Sequence, residues 1–203
     1  MEILEIFDAS LLNSTLRMIT PILLAALGGL LCERAGVFNI ALEGLMLTGA
    51  FTAVVGSFFL QSSFAGVMAG VLGGVLMATL FGLLAVRLNG NMIALGIALN
   101  FLAVGMTTFL SRAIFGVKGV FSDPRIIGLD PITIPIIDEI PILGPIFSGH
   151  SWLVYLSWLL VIISYIMLFH HPSGLRLRGV GEKPQASATL GVKVKAIKLS
   201  AVL

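Results

Sequence analysis

Charge is what this chain has least of. Only 12 of its 203 residues are Lys or Arg and 10 are Asp or Glu, so 11% is charged, against about 25% in soluble domains. With 58% hydrophobic residues and a mean hydropathy of +1.08, this excludes a water-soluble enzyme and implies an integral membrane protein. A net charge of +2 is too small to suggest nucleic-acid binding. A single cysteine, Cys32, excludes an intrachain disulfide. The chain has no G-x-x-x-x-G-K-[ST] phosphate loop, and so no ATP hydrolysis by that route. No motif calls for a cofactor or a metal. The start, Met1 to Asp8, is acidic where a secretion signal is basic. The residue alternation of membrane β-barrel strands is also missing.

Long apolar runs are abundant. Five stand out, at 15–32, 37–60, 64–86, 92–115 and 151–169, each close to the roughly 20 residues that span a bilayer as a helix. In lipid the backbone must satisfy its own hydrogen bonds, so the expected fold is an all-α polytopic membrane protein with about five to six helices, 1–203 forming one transmembrane domain. Residues 196–203 read as the beginning of another apolar helix, so the sequence is expected to be an N-terminal portion that continues further.

Basic residues orient the spans. Residues 170–195 and their flank carry Arg176, Arg178, Lys183, Lys193, Lys195 and Lys198 against one acid, Glu182, which makes this connection cytoplasmic. Counting back, the turns near Arg34 and Arg87 are cytoplasmic too. The N-terminus, 61–63 and the loop 116–150 then face outside, in agreement with Asp123, Asp130, Asp138 and Glu139, while Arg112, Lys118 and Arg125 dissent. Five of the eight prolines lie in 116–150. They argue against a continuous helix, and the apolar runs between them suggest a cap on the outer face or a short half-helix.

Three polar residues interrupt the apolar runs. Glu43 lies in the run 37–60, and Asn39 is four positions earlier, the spacing of one helical face. An intramembrane acid commonly faces a watery cavity, and Gly36, Gly44 and Gly49 allow an interrupted helix, as in transporter binding sites. The plain alternative is an acid capping a helix at the membrane edge. Asn100, with Gly96 one turn before it, either contacts a solute or bonds a neighbouring helix. Asn89, Gly90 and Asn91 mark the turn preceding it. In the third run, Gly66, Gly70, Gly74, Ala78 and Gly82 form a small-residue strip for close helix packing. Pro184 to Leu190 is a short amphipathic helix candidate with Pro184 at its start and Gly191 at its end. It is either a lever for a partner or a basic loop that fixes topology.

These motifs resemble the ABC importer permeases of the branched-chain amino acid and simple-sugar class. The run Gly174-Leu-Arg-Leu-Arg-Gly-Val-Gly-Glu-Lys-Pro-Gln-Ala-Ser-Ala-Thr-Leu-Gly-Val192 is similar to the nucleoside permeases' coupling pattern, roughly G-L-R-L-R-A-V-G-E-N-P-x-A-A-x-x-x-G-I, with Lys183 and Ser187 among the departures. Glu33-Arg-Ala-Gly-Val-Phe-Asn-Ile-Ala-Leu-Glu-Gly44 resembles that subfamily's E-R-S/A-G-V-x-N-I-A-x-E-G. Gly96-Ile-Ala-Leu-Asn100 and Ile140-Pro-Ile-Leu-Gly-Pro145 fit it as well.

The resemblance implies a permease subunit of a bacterial cytoplasmic-membrane importer, most closely one for nucleosides. Its partners are cytoplasmic ABC ATPase subunits, a second and different permease subunit, an extracytoplasmic substrate-binding lipoprotein and the surrounding lipid. Gly181, Glu182, Pro184, Ala186 and Gly191 are then the ATPase-coupling residues, and Asn39, Glu43 and Asn100 the substrate path. A simple-sugar permease, an ATP-independent secondary transporter and a scaffold subunit are the competing expectations.

Overall fold

The computed structural model of the protein describes residues 9–116, 121–133 and 144–203. Met1 to Asp8, Lys118, Asp138, Glu139, Pro135 and Pro141, used above to orient the chain and shape the outer loop, lie outside the described residues. So does most of the Ile140 to Pro145 motif.

The elements are α1 (Ala9–Arg34), α2 (Leu42–Leu60), α3 (Ser63–Gly82) continued by a π-helical turn (Leu83–Arg87), and α4 (Met92–Phe115). A two-residue strand β1 (Pro131–Ile132), a single turn α5 (Gly144–Phe147), β2 (His150–Ser151) and α6 (Trp152–His170) follow. The chain then forms α7 (Pro172–Glu182), α8 (Pro184–Thr189) and α9 (Val194–Val202). Among the described residues, five helices are long and apolar enough to cross a membrane: α1, α2, α3 with its π-helical turn, α4 and α6. They coincide with the five expected runs, except that α2 begins at Leu42 and not at 37.

By compactness the chain divides into two units, Met1–Leu27 with Leu129–Tyr165, and Gly28–Gly128 with Ile166–Leu203. In the first unit, β1 and β2 pair antiparallel, Pro131 opposite Ser151 and Ile132 opposite His150. His150 is buried, its Nε2 lies 2.9 Å from the Ile146 carbonyl, and its ring meets Tyr155 and Trp158 edge-on. Tyr155 donates to the Phe147 carbonyl at 2.9 Å. Within this unit β1, α5 and β2 are thus tied to the start of α6 by an aromatic cluster; of the expected half-helix the described residues show one turn, α5.

The second unit holds the helical core. Small residues set its geometry, because a helix backbone can come close only where no side chain intervenes. A Cβ on Gly66 would stand 3.0 Å from the Ala53 carbonyl oxygen, and one on Gly70 3.1 Å from that of Gly49. The pairs fix α2 and α3 as antiparallel. Gly73 presses on Thr52, and Gly56 on Ala69, in the same seam. The expected strip is therefore an intramolecular contact, with two departures. Gly74 faces open space, and Gly82 packs on Leu199 and Val202 of α9. Helical rotation over four turns carries the row off a single partner. α4 lies parallel to α2: Gly44 meets Asn100 near one end, and the Phe58 and Phe115 rings meet at 5.1 Å near the other.

The core gathers around Phe81, fully buried with Met77, Ala78, Ala85, Leu99 and Ala103. A second cluster joins Ala35, Leu168, Leu177 and Ala201. The stretch 172–182, read above as part of a loop, is the helix α7. Its start is capped by His171, whose Nδ1 accepts from the Ser173 N–H, with Pro172 at the first helical position. Gly174 lets this turn of α7 rest on the Met167–Leu168 backbone.

Candidate functional site

Three motifs meet at the start of α2. α1 ends at Arg34 and the chain reverses at Gly36, whose φ of +71° lies in the left-handed region that favours glycine. Residues 37–41 are not helical. The expected spacing of Asn39 and Glu43 on one helical face is therefore corrected, since Asn39 precedes the helix and Glu43 occupies its first turn. The physical reason is local. The Asn39 Oδ1 accepts from the Ala41 N–H at 3.0 Å, an Asx-type turn that competes with helix.

Asn100 completes the junction from α4. Its Oδ1 accepts from the Gly44 N–H at 2.8 Å and its Nδ2 donates to the Ile40 carbonyl at 3.0 Å. The N-cap residue of α2, Ala41, offers no side-chain cap of its own, so Asn100 supplies the missing acceptor from a neighbouring helix. Asn100 lies nine residues beyond the α4 N-cap, Asn91, about 13 Å along the helix at 1.5 Å per residue. Irregular backbone at that depth must have its polar groups satisfied by protein, and Asn39 and Asn100 do this. Gly96 and Gly44 permit the approach, since a Cβ on Gly96 would stand 2.9 Å from the Ile40 Cβ. Asn39 also donates to the Cys32 Sγ at 3.8 Å, and that thiol reaches the Ala201 carbonyl at 3.2 Å.

The structure thus brings Asn39 and Asn100 together around one helix start. Glu43 sits beside them but is exposed, placed where the partial positive charge of a helix N-terminus favours an acid.

The coupling candidates lie at the same end. Gly181, near the end of α7, packs its backbone against the Arg34 carbonyl and against Gly36. The two family-like motifs, 33–44 and 174–192, therefore interlock glycine to glycine. Lys198 reaches the Gly36 carbonyl at 3.3 Å, and Lys195 the Arg87 carbonyl at 3.3 Å. The three basic connections expected on one side of the membrane do share one end of this unit. α8 follows with Pro184 in its first turn, no buried residue and a close at Gly191, φ +80°. Glu182 and Ala186 are exposed, and Leu190 is 83% exposed, the highest of the large apolar side chains described.

A cavity of about 440 Å³ runs between α2 and α4 toward the opposite end. Leu47, Ala50, Phe51 and Val54 line it from α2, and Thr107, Thr108, Ser111, Arg112 and Phe115 from α4, with Phe121 at its end. The polar residues of this wall went unnoticed in the sequence, where Arg112 counted only as a topological exception. The signal was there, in hydroxyls and a guanidinium one turn apart on an apolar helix. The segment 121–128 crosses the cavity's end and is pinned to α2. Ser57 Oγ donates to the Ile127 carbonyl at 2.9 Å and accepts from its N–H at 3.0 Å. Arg125 lies 4.1 Å over the Phe58 ring and pairs with Asp123 at 3.0 Å. The hydrogen bonds from the Arg125 side chain and backbone lower the Asp123 pKa from 3.8 to about 2.

Comparison with known proteins agrees with this architecture. The family described as branched-chain amino acid transport system / permease component matches residues 11–203. A guanosine ABC transporter permease protein of Bacillus subtilis is 34% identical over 210 residues, covering 100% of this chain and 65% of that protein. A nucleoside ABC transporter permease protein of Lactococcus lactis is 35% identical over 191 residues, covering 91% of this chain and 59% of that protein. A putative glucose ABC transporter permease protein of Haloferax volcanii is 35% identical over 206 residues, covering 97% and 59%. The chain thus spans about three-fifths to two-thirds of the length of these relatives. No solved structure matches it. With five helices among the described residues long and apolar enough to cross a membrane and a family match over nearly its whole length, the chain belongs to the permease components of the branched-chain amino acid transport family.

Proposed function

We propose that this chain serves as a permease subunit in an ATP-driven, binding-protein-dependent nucleoside importer of the bacterial cytoplasmic membrane. The observation that carries the reading is α8. It is a short helix with no buried residue, braced through Gly181 against the turn that launches α2. A closing ATPase that grips Glu182 to Gly191 moves that turn with it, and α2 and α4 follow as a packed pair, the rigid-body route by which such machines switch. ATP is hydrolysed by the separate ATPase subunits. The connections holding Arg34, Arg87 and 170–195 face the cytoplasm; 116–150 faces outward toward a substrate-binding lipoprotein. A second permease subunit completes the path.

The start of α2 borders this path. Glu43 offers acceptors to a polar solute, and Asn39 and Asn100 hold the helix start while keeping amide hydrogens to spare. Guanosine and nucleosides are named for two relatives of 34–35% identity, which favours a nucleoside. The Haloferax volcanii relative, named for glucose, keeps a simple sugar as the second reading. Family membership favours both over an ATP-independent carrier.

Three experiments separate the parts. In vesicles carrying the complete transporter, guanosine uptake is expected to require ATP and to resist competition by glucose or ribose; uptake of sugar alone changes the solute and keeps the machine. Ala186→Asp on α8 is expected to lose co-purification of the ATPase while the permease still inserts. Retention of the ATPase by that variant removes α8 as the coupling element. Glu43→Gln is expected to impair uptake with assembly intact, and normal uptake makes Glu43 structural.

A further inference from the structure

The α2–α4 cavity carries more donors than the protein uses. Thr108, Ser111 and Arg112 line it, and among the described residues none of the three side chains has a hydrogen-bond or ion-pair partner. Thr107, beside them, already spends its hydroxyl hydrogen on the Ala103 carbonyl at 2.7 Å. Arg112 stands exposed in the last turn of α4, where a guanidinium can stay hydrated and still reach into the cavity that it lines. The opposite wall is Phe51, and the Phe115–Phe121 pair, stacked at 4.1 Å, closes one end. The cavity is therefore an apolar slot with the Phe51 ring on the α2 side, the Phe115–Phe121 pair at one end and the unspent donors of Thr108, Ser111 and Arg112 on the α4 side.

A guanidinium has five N–H donors and no acceptor. It pairs best with two adjacent acceptors on a planar edge, and on a purine that edge is N7 with O6, as in guanine. Adenine carries an amino group at position 6, a donor facing donors, and pyrimidines have no N7. Aromatic side chains take up the face of any base, and hydroxyls suit ribose. We propose that this cavity is a solute-binding station in the permeation path, and that Arg112 selects 6-oxopurine nucleosides by their O6/N7 edge while Ser111 and Thr108 bond the ribose. The proposal rests on the nucleoside reading above and narrows it.

The test uses the complete transporter in proteoliposomes with ATP and its binding protein. Arg112→Gln is expected to slow guanosine uptake about tenfold, Arg112→Lys less, with the ATPase still co-purifying. A second measurement bypasses the binding protein. Photoactivated 6-thioguanosine, which carries the reactive sulfur at position 6, is expected to cross-link to the α4 peptide holding Ser111 to Phe115. Excess guanosine should suppress that cross-link and excess adenosine should not. Unchanged guanosine uptake in Arg112→Gln overturns the proposal, as does a cross-link elsewhere or one that adenosine suppresses equally. ATP-driven glucose uptake without nucleoside uptake in the wild type overturns instead the reading on which it rests.

Discussion

Asn100 shows how a single amide can decide where a helix starts. Its two bonds serve the Ile40 carbonyl, in the non-helical stretch before α2, and the Gly44 N–H, in the first turn of α2. Removing a cap costs about 1 kcal/mol, and a buried carbonyl left unpaired costs about 1–3 kcal/mol more. Asn100→Ala is therefore expected to lower stability by about 2–4 kcal/mol, read as a loss of melting temperature in detergent. An unchanged melt means that water replaces the amide without cost. Asp123 makes the complementary case outside the spans. Its carboxyl is lowered from 3.8 to about 2 by the side-chain and then the backbone hydrogen bonds of Arg125. A depressed carboxylate favours the folded clip fully above pH 3.8 and loses that contribution as pH falls through about 2. At neutral pH the clip is intact, and a labelled-aspartate titration with a midpoint near 3.8 contradicts the pairing.

Elements pack here by the absence of side chains, and the α2–α3 seam makes that quantitative. Gly70 stands against Gly49 and Ala53, whereas Gly74, one turn on, faces nothing within 4 Å. Gly70→Leu must push the helices apart and is expected to cost about 1–3 kcal/mol, the range for overpacking. Gly74→Ala meets no neighbour and gains helix propensity, so its effect should be neutral or stabilising by up to about 1 kcal/mol. Thermal unfolding of the two variants side by side checks the seam; equal effects mean that the strip faces a partner and not α2. α7 carries a related lesson. Its Gly174 and Gly181 weaken helix propensity and made the segment read as a loop, yet those two positions are where the helix touches other backbone. Local preference yielded to packing.

At the scale of the whole molecule, the contact of Gly36 with Gly181 joins the coupling segment to the start of α2. Any side chain at 181 meets the Arg34 carbonyl and cannot turn away, because its neighbour is backbone. Gly181→Ala is expected to leave α8 free to bind the ATPase while breaking its link to the helices. ATP hydrolysis then continues and uptake falls severalfold or more. Coupled uptake at the wild-type ratio to hydrolysis shows that the force travels by another route. The large apolar side chains left exposed on the helices, Phe101 at 75% and Phe109 at 70% among them, suit surfaces that lie against lipid or another subunit.

The sequence by itself determined the membrane class, the number and place of the spans and the common end of its basic connections. These depend on composition and on runs of residues, which need no partner to be read. It also pointed to Asn39, Glu43, Asn100 and the segment 181–191 as unusual. What those residues do to one another was decided only in three dimensions. Asn39 and Asn100 are 61 positions apart, yet both hold the opening of α2. Gly36 and Gly181 belong to separate motifs that prove to be two sides of one contact. The cavity at Arg112 needs both α2 and α4, since each supplies one wall of it. Hydropathy is a property of each residue in turn, whereas a cap, a glycine contact or a cavity is a property of pairs, and only the fold chooses the pairs.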